Sequence, residues 1–189
     1  MIEDKNHLID LISNFLINLI ESNGIESNDE PNNNSHDNDD HVLSDWEHDL
    51  TTATYNSLEN PSTFQLFIAK SIPSISIKSY LQRILKYCPT CNQVYLSLII
   101  YFDRLSSISK LFIITPFNVH RLIIAAITVS SKFFSDIFYT NQRYAKVGGL
   151  PLSELNQLEL HFLLLLNFNL YINQSEFQTY SNKLLSIQA

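Results

Sequence analysis

At 189 residues with 45% apolar side chains, the chain has enough material for one domain with a substantial core. Its three glycines exclude the glycine-hungry turns of dinucleotide folds, phosphate loops and hairpin-rich sheets. A net charge of −7 conceals a division: residues 1–69 hold fourteen acids against Lys5, and residues 70–189 hold eleven bases against five acids. Those bases form no run, so nucleic-acid binding is not expected. Cys88 and Cys91 are the only cysteines and no secretory leader precedes them, which argues against a disulfide framework and for the nucleus and/or cytoplasm. The apolar run at 160–168 is too short to span a bilayer.

In chain order, residues 7–21 come first. They place Leu8, Leu11, Ile12, Phe15, Leu16, Leu19 and Ile20 at three- and four-residue intervals, which predicts an amphipathic helix of about four turns. Its bland role is to cap a core. A membrane-surface role fits less well, because its polar face lacks Lys and Arg. From residue 22 to about 49 the composition turns to Asn, Asp, Ser and His, a stretch too polar to order itself. His36, His41 and His48 stand among its acids, and titratable decoration of a linker explains them better than metal binding. An acidic strip joined to a basic domain has a second reading, folding back over a basic groove at high effective concentration. Trp46 and the segment 58–68 are expected to dock on the domain.

The compact part follows Pro73. Ile77, Leu81, Ile84 and Leu85 mark a first helix ending before Pro89. Thr90-x-x-Gln93 reads as a capping box for a second helix through Leu105. Cys88-Pro-Thr-Cys91 has redox spacing, but Cys88 sits at a helix end where the dipole opposes thiolate formation, so both read as ordinary thiols. Thr115-Pro116 signals the start of a third helix, with Leu122, Ile123, Ala126, Ile127 and Ser130 on its way to Phe134. Small residues in its middle let neighbours approach closely, which marks a central helix. Residues 136–147 read as a short irregular helix with exposed Tyr139 and Tyr144, and Gly148-Gly149 forces a turn. Pro151 and Ser153 open the next helix, and Asn173-x-x-Glu176 caps the last. No strand is predicted. The fold class is all-α.

Enzymatic readings fail in turn. The acids of the compact domain (Asp103, Asp136, Glu154, Glu159, Glu176) are scattered, and no metalloprotease, nucleophile-elbow or phosphate-cradling motif occurs. His120 and His161 stand at helix flanks and read as structural. No catalytic residue, metal or cofactor is expected. What remains is Lys132 at the end of the central helix and Glu159 in the next long one, both embedded in apolar sequence. One reading is a buried structural ion pair. The other is a docking face, with Phe133, Phe134, Leu163, Phe168 and Leu170 supplying apolar anchors around a register-setting charge pair.

The segments IIYFDRL at 99–105 and HRLIIAAITVSSKFFSDIFYTNQRYAKVGGLPLSELNQLELHFLLLLNFNLYI at 120–172 resemble a cyclin box, most of all that of the fungal phosphate-regulating, Pho-type cyclins. YAKVGG followed by an ELNxLE-type helix is the specific part, and the resemblance covers roughly residues 62–187. It implies a single five-helix cyclin box at 62–189, with an extra N-terminal helix at 1–21 and an acidic Asn/Asp-rich linker at 22–61. The implied activity is that of a non-catalytic subunit activating a cyclin-dependent Ser/Thr protein kinase as a heterodimer. Further implied partners are a phosphoprotein substrate or a kinase inhibitor, with no membrane.

By the same resemblance, Lys132 and Glu159 match the couple with which cyclins engage the kinase's regulatory C-helix. Phe133, Leu163, Phe168 and Leu170 match its flanking apolar contacts. Asp136 matches a carboxylate offered to a kinase arginine in place of activation-loop phosphorylation. Asp103 matches a structural acid that other cyclins pair with an arginine of their first helix, yet Lys70, Lys78 and Arg83 fall out of register for it. Ser135 stands where other cyclins often carry an acid. The alternatives are a cyclin-like helical adaptor in transcription, which should show a basic stripe and a repeated domain, and an orphan scaffold without kinase activation.

Overall fold

The computed structural model describes residues 2, 4–26, 64–109 and 112–186, and all of the regular structure among them is helical. Seven helices are placed among the described residues: α1 (Lys5–Glu26), α2 (Ile77–Tyr87), α3 (Asn92–Ile108), α4 (Val119–Phe134), α5 (Asn141–Gly148), α6 (Leu152–Leu165) and α7 (Gln174–Ser186). The acidic stretch with Trp46 and the three histidines His36, His41 and His48 lies outside the described residues. Of the segment 58–68, Phe67 is buried against Phe162 and Phe64 packs on Phe112.

α4 is the centre. Every residue from Leu122 to Ser131 is buried, so this helix is apolar all round rather than amphipathic, as a helix enclosed by others must be. It packs against α3 on one side and α6 on the other, and touches α2 and α5. Ala125, Ala126 and Ser130 keep its surface low, and Ser130 accepts a 2.7 Å hydrogen bond from Ser97 of α3. That bond satisfies two hydroxyls that would otherwise be costly to bury.

α1 does more than cap the core. It begins earlier and ends later than its apolar periodicity, and it packs against α2, α3 and α7. Ile9, Ile12 and Leu16 are fully enclosed, with Leu8 and Leu11 nearly so. Asn92 Nδ2 donates to the Ile2 carbonyl at 2.8 Å, Asn23 Nδ2 donates to the Ile114 carbonyl at 3.0 Å, and Asp10 meets Lys78 at 2.8 Å. The helix is tied at both ends and in the middle.

Several local signals resolve differently from their sequence reading. Cys91, not Thr90, occupies the N-cap of α3, and the Thr90 hydroxyl is buried with no hydrogen-bond partner among the described residues. Thr115-Pro116 opens a turn rather than the helix itself: Asn118 is the N-cap of α4, and its Oδ1 accepts back from the Thr115 amide at 2.8 Å. The irregular helix predicted at 136–147 is a regular one over Asn141–Gly148, with Thr140 accepting from the Arg143 amide. It buries Tyr144, which sequence reading left exposed. Its inward stripe is Tyr144, Ala145 and Val147, short enough to be concealed by the flanking Arg143 and Lys146. The second capping box holds in half: Asn173 Oδ1 accepts from the Glu176 amide at 2.8 Å, while the Glu176 carboxylate turns away to Arg104.

Gly149 closes α5 in the left-handed region at φ 73°. Alanine there has open space around its Cβ but the wrong backbone preference, so Gly149→Ala is expected to lower unfolding free energy by about 1 kcal/mol in denaturant titration. Cys88 is buried and Cys91 half-buried, both as free thiols, and burial pushes the Cys88 thiol up.

His120 carries the pH dependence legible here. Its Nε2 bonds the Ile75 carbonyl at 2.9 Å, its ring meets Tyr80 edge-on, and burial holds the imidazole below its ordinary 6.5. The unfolded chain therefore takes up the proton first, so the stability this site contributes is present above pH 6.5 and is lost as pH falls below it. Thermal midpoints of wild type and His120→Gln, compared at pH 7 and pH 5, are expected to show a smaller acid drop in the variant.

Candidate functional site

Lys132 lies in the last turn of α4, and Glu159 midway along α6, on the faces where the two helices meet. The Lys132 ammonium donates to Glu159 Oε1 at 2.5 Å. The other carboxylate oxygen accepts from Asn141 Nδ2 at 2.6 Å, and that amide also donates to Asn156 Oδ1 at 2.8 Å. Glu159 is thus fixed from both sides, while Lys132 keeps a third of its side chain in solvent. The pair is neither fully buried nor free. Its carboxylate is pre-oriented, and its ammonium has unused donors facing outward.

Around it the chain leaves apolar surface uncovered. Val129, Lys132, Phe133, Glu159, Leu163 and Leu170 line one shallow groove of about 170 Å³. Phe133 is 47% exposed although it stacks edge-on against Phe134, which in turn packs on Phe177. Phe168, two residues before Leu170, is 55% exposed. Asp136, just past α4, is exposed and has no ion-pair partner among the described residues, and Ile137 and Phe138 beside it are also exposed. An apolar patch with a held charge pair and a free carboxylate at its rim is chemically suited to receive another protein.

The loop after α6 is built to present its part of that patch. Asn167 and Phe168 both take left-handed backbone conformations, at φ 48° and 54°, which ordinary side chains avoid. Surrounding bonds impose them. The Phe168 amide closes on the Leu163 carbonyl at 2.9 Å, and Tyr101 donates to the Leu170 carbonyl at 2.8 Å. Arg104 donates to the carbonyls of Asn169 and Tyr171 at 3.0 and 2.9 Å and to the Glu176 carboxylate at 2.8 Å. The unusual backbone of this loop is thus held in place by tertiary hydrogen bonds.

The YFDRL segment therefore acts as a clamp. Tyr101 and Arg104 secure the presenting loop, Phe102 enters the core, and Asp103 accepts a short hydrogen bond from the Tyr180 hydroxyl of α7. Tyr180, rather than a cation of the first box helix, is the partner of Asp103. A tyrosine on α7 satisfies the acid without an arginine in register, which is why Lys70, Lys78 and Arg83 have no part in it. Burial first, and then the hydrogen bond to and negative charge of Asp103, push the Tyr180 phenol well above its ordinary 10.0.

Five of the eight sequence-predicted residues, Lys132, Phe133, Glu159, Leu163 and Leu170, share the groove. Phe168 and Asp136 are exposed but do not line it, and Asp103 is held by the Tyr180 hydroxyl instead. Asn141 and Arg104 were not legible as site residues, because each acts through a partner far away in sequence. A further tie of that kind joins Arg121 of α4 to Glu154 of α6 at the opposite end of the helix pair. Among the described residues no group of His, Cys, Asp or Glu could hold a metal, and no described helix is long and apolar enough to cross a membrane.

Comparison with known proteins agrees with this geometry. The Cyclin family model matches residues 6–170, a span that begins within α1 and ends in the presenting loop. The chain is 45% identical over 97% of its length to the PHO85 cyclin-like protein psl1 of Schizosaccharomyces pombe, covering 68% of that protein. It is 47% identical over 62% of its length to PHO85 cyclin-7 of Saccharomyces cerevisiae, covering 45% of it. It is also 43% identical over 61% of its length to cyclin-U2-2 of Arabidopsis thaliana, covering 50% of it. The chain thus spans about half the length of two of these three relatives. With the family matched from α1 to the presenting loop, and the charge pair and patch in place, the chain belongs to the cyclin family, in the class of the fungal PHO85 cyclins.

Proposed function

We propose that this chain is the activating, non-catalytic subunit of a cyclin-dependent Ser/Thr protein kinase. The carrying observation is the Lys132–Glu159 pair, braced by Asn141, at the centre of an exposed apolar patch. On this reading Phe133, Leu163, Phe168 and Leu170 take the apolar face of the kinase's regulatory C-helix, and Lys132 and Glu159 bond its exposed backbone and side-chain ends. Holding that helix inward completes the kinase's own Lys–Glu ion pair and magnesium site, so the cyclin supplies no reacting atom. Asp136, exposed and unpaired among the described residues, stands ready for an arginine of the activation segment. In a domain running from about residue 62 to 189, helices α2–α6 form the five-helix box and α7 follows it, with α1 as an additional helix that completes the core and the acidic stretch as a linker.

The names of the PHO85 cyclins and the family match support the kinase reading over a transcription adaptor. The test is affinity purification of the tagged chain from its native extract, followed by protein-kinase assay of the eluate. A stoichiometric kinase whose activity depends on the chain is the expected result. Elution alone, or with transcription machinery, would refute the assignment.

A further inference from the structure

Once the internal ion pairs are drawn, the remaining cations are not evenly distributed. Lys78, Arg104, Arg121 and Lys132 are each matched to a carboxylate. Arg83, Arg143 and Lys146 are matched to none among the described residues, yet all three line a single cleft of about 350 Å³ between the C-terminal half of α2 and α5. Tyr87 and Val147 form the rest of its wall, so it holds three positive charges, an aromatic side and no acid. Outside the lining, the Lys86 ammonium lies 5.5 Å from the centroid of the Tyr87 ring.

The cleft is organised rather than incidental. Arg143 donates twice to the Tyr87 carbonyl, through Nε at 2.8 Å and through Nη2, and its guanidinium lies 4.2 Å over the Tyr139 ring. That fixes one cation and ties α5 to the end of α2, so little side-chain entropy is left to lose on binding a ligand. Arg83 and Lys146 are exposed and make no ion pair with described residues. Holding like charges together in one concavity is unfavourable in the free protein, and an anionic ligand relieves it.

We infer that this cleft binds a phosphorylated serine or threonine segment of a partner protein. A single carboxylate would neutralise one of the three cations. A phosphate monoester carries close to two negative charges and three acceptor oxygens, and so can engage Arg83, Arg143 and Lys146 at once. The walls formed by Tyr87 and Val147 suit a neighbouring apolar side chain, as clusters of arginine do when they read phosphorylated motifs. None of the cleft's lining residues lines the Lys132–Glu159 groove, although Asn141 of the same short helix α5 braces Glu159. The two surfaces can therefore be occupied together. If the chain is a kinase subunit, the cleft holds a protein already phosphorylated once while the kinase acts on it again. That physiological meaning rests on the kinase reading, but the binding itself does not.

The test uses the full chain without any kinase. A fluorescein-labelled Ala/Gly peptide with one central phosphoserine is titrated by anisotropy, against the same peptide carrying serine. The phosphopeptide should bind at least about tenfold more tightly than the serine peptide. Arg83→Gln combined with Lys146→Gln should remove at least about tenfold of its affinity with an unchanged melting curve, since neither side chain has an ion pair among the described residues, and Lys183→Gln on α7 should change nothing. Equal binding by the double variant, or of the two peptides, would overturn the proposal. So would displacement by equimolar inorganic phosphate, or binding that arises only after Asp37, Asp39 and Asp40 are changed to Asn. In that last case the chain's own acidic stretch is the occupant. Failure of these arms leaves the kinase assay untouched, so the two claims fall separately.

Discussion

The double variant Lys132→Ala/Glu159→Ala is expected to lose kinase association by on the order of 100-fold or more while remaining folded, because truncating buried charge partners at an interface typically costs several kcal/mol. The loss has two parts. The outward donors of Lys132 and the pre-oriented carboxylate of Glu159 disappear, and Asn141 loses the oxygen it holds at 2.6 Å. The fold should tolerate the change, since both side chains lie at the edge of the α4–α6 contact and Lys132 is a third exposed. Quantitative co-purification with a melting curve on the same sample checks this. Full kinase binding by the double variant would remove the assigned interface, and loss of helicity would leave the pair with only a structural role.

Phe162→Ala is expected to destabilise the chain by about 4 kcal/mol, among the largest effects of any single core truncation. Phe162 is fully buried on α6, and its ring stands edge-on to Phe67, Tyr101 and Phe102 at centroid distances of 6.5, 6.2 and 6.4 Å. Removing it opens a cavity between α6, α3 and the segment leading into α2, where several rigid rings cannot easily collapse. Because Tyr101 also secures the presenting loop through the Leu170 carbonyl, partner binding should weaken along with stability. Urea denaturation followed by circular dichroism, run beside a conservative Phe162→Leu, measures the effect. A loss below about 1 kcal/mol in the alanine variant would show that the core repacks around it.

The sequence carried the all-α class and the order of the helices plainly, because helical periodicity, Pro89, Pro151 and the Gly148-Gly149 stop are local signals. It also carried the members of the docking patch, which fall close together along α4, α6 and the loop that follows. What it concealed were relations between distant residues. Tyr180 reaches Asp103, Arg104 reaches the loop at 169–171, and Asn141 reaches Glu159 only once the helices are packed. Capping was misread where tertiary structure supplied another solution: Thr90 is turned inward, and Asn118 rather than Thr115 opens α4. The two-sided burial of α4 and the inward stripe of α5 were hidden for the same reason, since periodicity reports one face and these helices are covered on several.

Site-specific photo-cross-linking tests the central claim most directly. A benzoylphenylalanine placed at Phe133, and separately at Phe168, should yield adducts in the native complex that map by mass spectrometry to the regulatory C-helix of a protein kinase. Both side chains are about half exposed on the proposed face, so their reactive groups would meet that helix and little else. Adducts elsewhere on the kinase, or on a protein that is not a kinase, would contradict the account.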